Sequence, residues 1–172
     1  FGPVRTQLPD TVAHHRNYFE GFFSREGSKE DKVIDHFFGC GNALLDLKKI
    51  RNSLPDGAPY FDALSNEIGG EDDFLFSQVE KAGYSFAWAA NALVNEHVPE
   101  SRAKLNYTLK RAFGYGQGPS TLSWRGTPPN IPGLIFWICV GVGQTLIYGG
   151  YAACLYALKS ERRAFMLDKA AR

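Results

Sequence analysis

The stretch GGEDDFLF, residues 69–76, places three carboxylates between a glycine pair and an apolar run. The apolar residues that follow predict a helix over 71–82, so the acids fall in its first turn. There the helix dipole stabilises each negative charge by roughly 0.3–1 kcal/mol, which could explain the acids without any chemistry. The glycine pair, however, lets the backbone turn sharply and lets a ligand approach. A carboxylate at the rim of such a site could act as a general base towards a hydroxyl nucleophile.

A second candidate for chemistry is the corner Gly39-Cys40-Gly41-Asn42. The β-branched and aromatic residues of 33–40 predict a strand that ends there. Asn42 is expected to cap a helix that stops before Pro55. Backbone amides at a helix start bind phosphate or sugar oxygens well, although most glycine corners of this kind are simply tight turns.

Glu96 and His97 follow an extended segment and precede Pro99. A neutral imidazole can bind a metal ion, although an isolated histidine is more often a hydrogen-bonded structural residue. Pro99 is expected to open a helix that runs to about Phe113, because proline is favoured at the first helical position. The glycines after that helix, together with Pro119, are expected to end it.

The composition excludes several classes of protein. The formal net charge of +1 argues against a nucleic-acid partner, and the 14% of aromatic residues argue against a mainly disordered chain. Three scattered cysteines predict buried free thiols rather than a disulfide framework. At 172 residues the chain is long enough for one domain with a core, but it opens on Phe1 rather than methionine. We therefore expect it to be a piece of a longer protein.

The residues 131–158 contain no Asp, Glu, Lys, Arg or His. A bilayer span needs about 20 such residues, so the length and composition of this segment predict a membrane helix. A tilted span, a re-entrant segment and a helix at the membrane surface all remain open. The alternative is a central helix buried in a soluble protein. Basic residues flank both ends, so the positive-inside rule does not set an orientation.

Taken together, these residues resemble the later half of a family-2 glycosyltransferase. The resemblance is carried by the GCGN corner, the stretch YFDALSNEIGGEDDFLFSQVEKAGYSFAWAANALVNEHVPESR, a basic helix and the apolar segment. Members of that family have the GT-A fold, and many are bacterial and membrane-anchored. The resemblance implies an α/β chain: the later half of a GT-A type, Rossmann-like nucleotide-diphospho-sugar transferase domain, followed by a hydrophobic membrane helix.

The resemblance also implies roles for individual residues. Asp72 matches the general base that deprotonates the acceptor hydroxyl, and Glu71 would position the motif or touch the acceptor. Substrate contacts would come from Gly41 and Asn42 at the corner and from the residues around the acids, namely Gly69, Gly70 and Asp73. His97 matches a histidine that in many such enzymes helps to bind the divalent metal, Mg²⁺ or Mn²⁺, on the donor diphosphate.

The sequence departs from the family pattern at two places. Phe74 stands where the family often has a further acid. The family's Asp-x-Asp metal motif occurs nowhere in the sequence, so we expect the donor-binding half to precede Phe1. The chain would then hold an acceptor side and a catalytic base without a donor site.

The function implied is inverting transfer of a sugar from a nucleotide-sugar donor to a saccharide or lipid-linked acceptor, within polysaccharide biosynthesis. The expected domains are a catalytic part over 1–125, an apolar membrane-associated segment over 126–158 and a basic juxtamembrane tail over 159–172. The expected location is the bacterial inner membrane, with the lipid bilayer as a partner and the catalytic part cytoplasmic. A non-catalytic membrane-tethered binding or scaffolding module is the rival hypothesis. A hydrolase that uses the acid cluster as an acid/base pair is a third.

Overall fold

The computed structural model of the protein describes residues 1–61, 71–125 and 128–172. These residues form a mixed α/β chain with one long apolar helix. In chain order the elements are β1 (Val4–Gln7), α1 (Arg16–Phe23), β2 (Lys32–Ile34), α2 (Leu47–Ser53), α3 (Glu71–Lys81), β3 (Phe86–Trp88), β4 (Val94–His97), α4 (Leu105–Gly116), α5 (Gly118–Arg125), α6 (Ile131–Ala157) and α7 (Arg163–Ala171).

The chain divides into two compact units. The first contains residues 1–7 and 23–97, and the second contains residues 8–22 and 98–172. The predicted domain boundaries at 125 and 158 stay predictions.

The first unit contains two small sheets. β1 and β4 pair in parallel, with Val4 opposite Val94 and Gln7 opposite His97. β2 and β3 pair antiparallel, with Ile34 opposite Phe86. The backbone of Arg25 also bridges to Val4 on β1. The parallel pair needs a long connection, and α2 and α3 lie within it.

The core beside α3 is apolar, as its sequence pattern predicts. Leu75 and Val79 on α3 are buried against Ile50 and Leu54 from the end of α2. The helix ends at Lys81, and Gly83 beyond it has a φ of +81°. Glycine adopts that left-handed conformation without a Cβ clash, so the predicted stop at Gly83 is confirmed.

Two element predictions in the first unit are wrong. The strand expected over 33–40 is regular only over Lys32–Ile34, because Phe37 and Phe38 turn instead into an aromatic cluster. Phe37 lies 5.6 Å from Phe76 between ring centroids, and Phe38 lies 5.5 Å from Trp88.

The helix expected after Asn42 begins only at Leu47, because the capping residue is Asp46. The Asp46 carboxylate accepts hydrogen bonds from the amides of Lys48 and Lys49, each at 3.1 Å.

The second unit is helical. α6 packs against α5 and α7, and α4 packs against α7. The helix expected from Pro99 begins at Leu105 and continues to Gly116, so that prediction is wrong at both ends. Gly118 and Pro119 do not end this helix but begin α5. Proline suits the first turn of a helix, because the backbone amides there have no partner within the helix and proline lacks that amide hydrogen.

The predicted apolar helix is present as α6. Asn130 caps it by accepting a hydrogen bond from the Gly133 amide at 3.0 Å. Within the described residues α6 is long and apolar enough to cross a membrane, and its most apolar window has none of its residues buried. That exposure argues against the central helix of a soluble core.

Candidate functional site

Asp72 lies in the first turn of α3, where the sequence placed it. The buried residues Leu75 and Phe76 one turn later hold the helix against the core, each with 1% of its surface exposed. Asp72 itself is half-buried, at the edge of the unit. The packed apolar face of α3 therefore places Asp72 at the edge of the unit.

Asp72 contacts the glycine turn, by which we mean residues 39–41. Its Oδ2 accepts a hydrogen bond from the Cys40 amide at 2.8 Å, and its Oδ1 accepts one from the Asp73 amide at 3.1 Å. A Cβ added at Gly39 would lie 3.0 Å from Asp72 Oδ2, so the carboxylate would have to give by a few tenths of an ångström. The structure thus brings together the glycine corner and the acidic helix start, which the sequence indicated as two separate candidates.

Arg25 holds the glycine turn from the other side. Its guanidinium donates hydrogen bonds to the carbonyl oxygens of Gly41 and Gly39, the second at 2.9 Å. It also lies 5.0 Å from the ring centroid of Phe38, within cation–π range. The Arg25 backbone is in turn anchored by its bridge to Val4.

Arg25 is a site residue that was not predicted from the sequence. It lies in a polar stretch typical of a surface loop, and no motif or spacing marks it. Only the fold shows that this arginine reaches a turn 14 to 16 residues further along the chain.

Charge and burial act on Arg25 in opposite directions. Partial burial of the guanidinium lowers its pKa from the ordinary value. Coulomb interactions with Cys40, Asp72 and Glu96 oppose that change by favouring the cation. The site therefore combines an arginine, a carboxylate and backbone groups of a glycine turn.

Asn42, next to the glycine turn, ties together the beginnings of two strands. Its φ of +52° is in the left-handed region, which asparagine tolerates better than most residues. Its Nδ2 donates to the carbonyl oxygens of Pro3 at 2.8 Å and of Ala92 at 2.6 Å. Both amide hydrogens are thereby used within the protein. The predicted substrate contact of Asn42 stays a prediction, and only its Oδ1 is left to make it.

The other predicted site residues are placed as follows. Glu71 is the first residue of α3, and Gly69 and Gly70 lie outside the described residues. Asp73 is exposed beside Asp72. Gly41 belongs to the glycine turn, where an added Cβ would come no closer than 3.8 Å to Arg25.

His97, the predicted metal ligand, is exposed at the carboxyl end of β4 and pairs with Gln7. Across residues 1–61, 71–125 and 128–172, no group of three or more His, Cys, Asp or Glu side chains is arranged to hold a metal ion. One imidazole is too small a donor set for a stable site. The described residues therefore do not fit a metal centre of their own.

An open groove of about 480 Å³ lies along β2 rather than at Asp72. Its lining includes Lys32, Asp35, His36 and Ser85. None of these residues belongs to the glycine turn or to α3, so the groove is separate from the site described above.

Comparison with known proteins gives one partial similarity to report. The succinoglycan biosynthesis protein ExoM of Rhizobium meliloti (strain 1021) is 45% identical to this chain over 49 residues. The match covers 28% of this chain and 16% of that protein's length. No family model matches the chain, and no solved structure matches it. The chain is therefore similar, over a short segment, to a protein of succinoglycan biosynthesis.

Proposed function

We propose that this chain is part of a membrane-associated glycosyltransferase of polysaccharide biosynthesis. The reaction is transfer of a sugar from a nucleotide-sugar donor to a saccharide or lipid-linked acceptor, with inversion at the anomeric carbon. Asp72 is the general base. The partial similarity to a succinoglycan biosynthesis protein supports this class of substrate. The fold we propose for the catalytic part is of the GT-A type.

The observation that carries the proposal is the setting of the Asp72 carboxylate. The Cys40 and Asp73 amides take one lone pair from each of its oxygens and fix its orientation. A carboxylate oxygen has two acceptor positions, so within the part of the chain that the structure describes each oxygen retains one for an incoming hydroxyl. A base that is oriented before the acceptor arrives needs little rearrangement in the transition state.

A single base matches an inverting displacement. Asp72 would take the proton from the acceptor hydroxyl as its oxygen attacks the anomeric carbon, and the nucleoside diphosphate would leave from the opposite face. No protein nucleophile is required, because the acceptor itself makes the new bond. The nearby Arg25 cation would help to keep Asp72 in place through the glycine turn that both residues hold.

The divalent metal implied by the family resemblance is assigned no step here. His97 is the only residue of this chain that we proposed as a ligand, and the described residues around it do not complete a metal site. Donor binding is likewise assigned to no described residue, because the similarity covers only a small share of the longer relative.

The proposal is tested by the Asp72→Asn substitution in the natively expressed protein, with membranes present. Transfer is measured from a panel of radiolabelled nucleotide sugars to endogenous acceptor, and donor binding is measured separately. We expect transfer to fall by about 10²–10⁴-fold, the usual contribution of a general base, with donor binding retained. Glu80→Gln, on the same helix but away from the glycine turn, is the matched control.

Near-normal transfer by Asp72→Asn would show that another group acts as the base. Absence of transfer and of nucleoside diphosphate binding in the unsubstituted protein would instead favour the non-catalytic binding module.

A further inference from the structure

The charged helix α7 packs along half of the length of the apolar helix α6. Arg163, at the start of α7, lies over the Tyr156 ring at 5.2 Å from the ring centroid. Lys169, near the end of α7, lies 5.3 Å from the Tyr148 centroid, and Thr145 Oγ1 donates to the Ala170 carbonyl at 3.1 Å. The helix α7 therefore runs antiparallel to α6, from the end of α6 back to its midpoint.

This packing conflicts with a simple crossing of the bilayer. A helix of 27 residues is about 40 Å long, and the hydrocarbon core is about 30 Å thick. If α6 crossed with α7 docked, Lys169 and Arg172 would lie close to the middle of that core. Charged side chains are costly there, and in membrane proteins they are found facing a polar interior.

A polar contact with Tyr18, outside α6, also holds the helix α7 in its place. Asp168, which is largely buried, accepts hydrogen bonds from Tyr18 Oη at 3.2 Å and from Arg172 Nε at 2.8 Å. Ala164 is completely buried. The Arg172 bond lies on α7 itself and would move with it, but removing α7 to let α6 cross would break the contact with Tyr18 and leave the buried Asp168 without that partner.

Among the described residues, the side of α6 opposite α7 is apolar and exposed. The residues of α6 that face α7 recur at spacings of three and four: Thr145, Tyr148 and Ala152. At 3.6 residues per turn they form one stripe along α6, so the residues on the side turned away from α7 can be identified as well. The large apolar residues on the other faces are exposed by 54% to 71%: Ile135, Phe136, Val142, Leu146, Ile147 and Tyr151. The pair α6–α7 is thus amphipathic as a unit, although α6 alone is apolar all round.

We propose that α6 does not cross the bilayer but lies in the plane of one leaflet, with α7 on its water side. The occupant of the exposed apolar side is an anionic lipid surface. The length and apolarity of α6 and the charge around it together favour lipid. Basic residues border the pair at Lys159, Arg162, Arg163 and Lys169. Such residues favour anionic head groups. This inference does not depend on the proposed sugar transfer.

The position of the two ends of α6 tests the proposal directly. Single cysteines are placed just outside each end, at Pro128→Cys and Arg162→Cys, in a chain whose Cys40, Cys139 and Cys154 are replaced by serine. Both positions are exposed and lie outside α6 and α7. Sealed membrane vesicles are labelled with an impermeant maleimide before and after permeabilisation. We expect both cysteines to label from the same side; labelling from opposite sides overturns the proposal.

A second measurement tests which face meets the lipid. Leu146→Lys should weaken partitioning into vesicles of equal parts phosphatidylcholine and phosphatidylserine by about tenfold, because the lysine enters the apolar interface. Asn106→Lys, on the exposed surface of α4, adds the same charge and should not weaken it. Equal binding by Leu146→Lys and the unsubstituted chain would overturn the proposal. So would self-association that buries this face without any vesicle binding.

Discussion

Asp72 Oδ2 and the Cys40 amide, 32 residues apart in the chain, are joined by a hydrogen bond of 2.8 Å. This contact joins the acidic helix start to the glycine turn. The Arg25 guanidinium holds the carbonyl oxygens on either side of that amide, so the turn is fixed by an anion at its N–H and a cation at its C=O groups. The position of the glycine turn therefore depends on the charges of both Asp72 and Arg25.

Substitutions of Asp72 should affect transfer activity and the free energy of unfolding to different degrees. In Asp72→Asn the side-chain oxygen can still accept the Cys40 hydrogen bond, but the charge at the helix start and the bond from the Asp73 amide are lost, so the free energy of unfolding should fall by about 0.5–1 kcal/mol. Asp72→Ala loses the Cys40 bond as well and should cost about 0.5–1.5 kcal/mol more. Both variants should lose transfer. Urea unfolding of the two variants side by side makes the comparison, and equal stability of Asn and Ala would mean that the hydrogen bond adds nothing.

Arg25→Ala should weaken the glycine turn. Two hydrogen bonds from a half-buried guanidinium are lost, and we expect the free energy of unfolding to fall by about 1–2 kcal/mol. Arg25→Lys should recover only part of this, because one ammonium group lacks the planar fork that reaches both carbonyl oxygens. Lys29→Ala, an exposed cation in the same loop, is the control and should be neutral.

The effect of Arg25 on transfer should appear in kcat more than in KM, since the arginine acts by orienting Asp72. An Arg25→Ala variant as stable and as active as the unsubstituted protein would contradict this role.

Neighbouring positions on α3 should respond very differently to truncation. Leu75 has 1% of its surface exposed, and Leu75→Ala should cost about 2–4 kcal/mol through lost burial and the cavity left behind. Phe74 is 43% exposed, so Phe74→Ala should lower the free energy of unfolding by less than about 1 kcal/mol. Chemical denaturation of the two variants gives both values. A larger loss for Phe74→Ala than for Leu75→Ala would show that the packed face of α3 is not the one that contains Leu75.

Tyr18 should make the second unit sensitive to alkali. Burial raises the pKa of the Tyr18 phenol above its ordinary value near 10. The hydrogen bond with Asp168 also favours the protonated phenol, while contact with Thr108 opposes the shift. Above about pH 10 the unfolded chain releases a proton that the folded chain keeps, so stability is complete below that pH and falls as the pH rises further.

The test is the free energy of unfolding at about pH 8 and about pH 11 in Tyr18→Phe and in the unsubstituted chain. We expect the variant to be less stable near neutral pH, since it lacks the hydrogen bond to Asp168, and to lose less on going to high pH. Tyr107→Phe removes a hydroxyl from α4 and should keep the full alkaline loss. An identical pH profile in Tyr18→Phe would show that the phenol does not contribute.

The sequence was most informative where local pattern and burial agree. The helix α3, its first-turn acids, its stop at Gly83 and the apolar helix α6 were all predicted, because each follows from periodicity and glycine placement within a short window. Arg25 was missed because its side chain acts through backbone oxygens distant in the chain, which leave no trace in composition. Asn42 was interpreted as a helix cap because its true partners, before β1 and β4, are 39 and 50 residues away.

The parallel pairing of β1 with β4 has a consequence for the order of folding. Val4 and Val94 are 90 residues apart, so their contact closes a long loop, whereas α2 and α3 meet over a much shorter separation. Contacts between distant residues form late because the loop entropy is lost before they stabilise the chain. We therefore expect the helix that carries Asp72 to be in place early. The strands that support Arg25 and Asn42 would pair last, so that the contacts around Asp72 are completed only at the final step of folding.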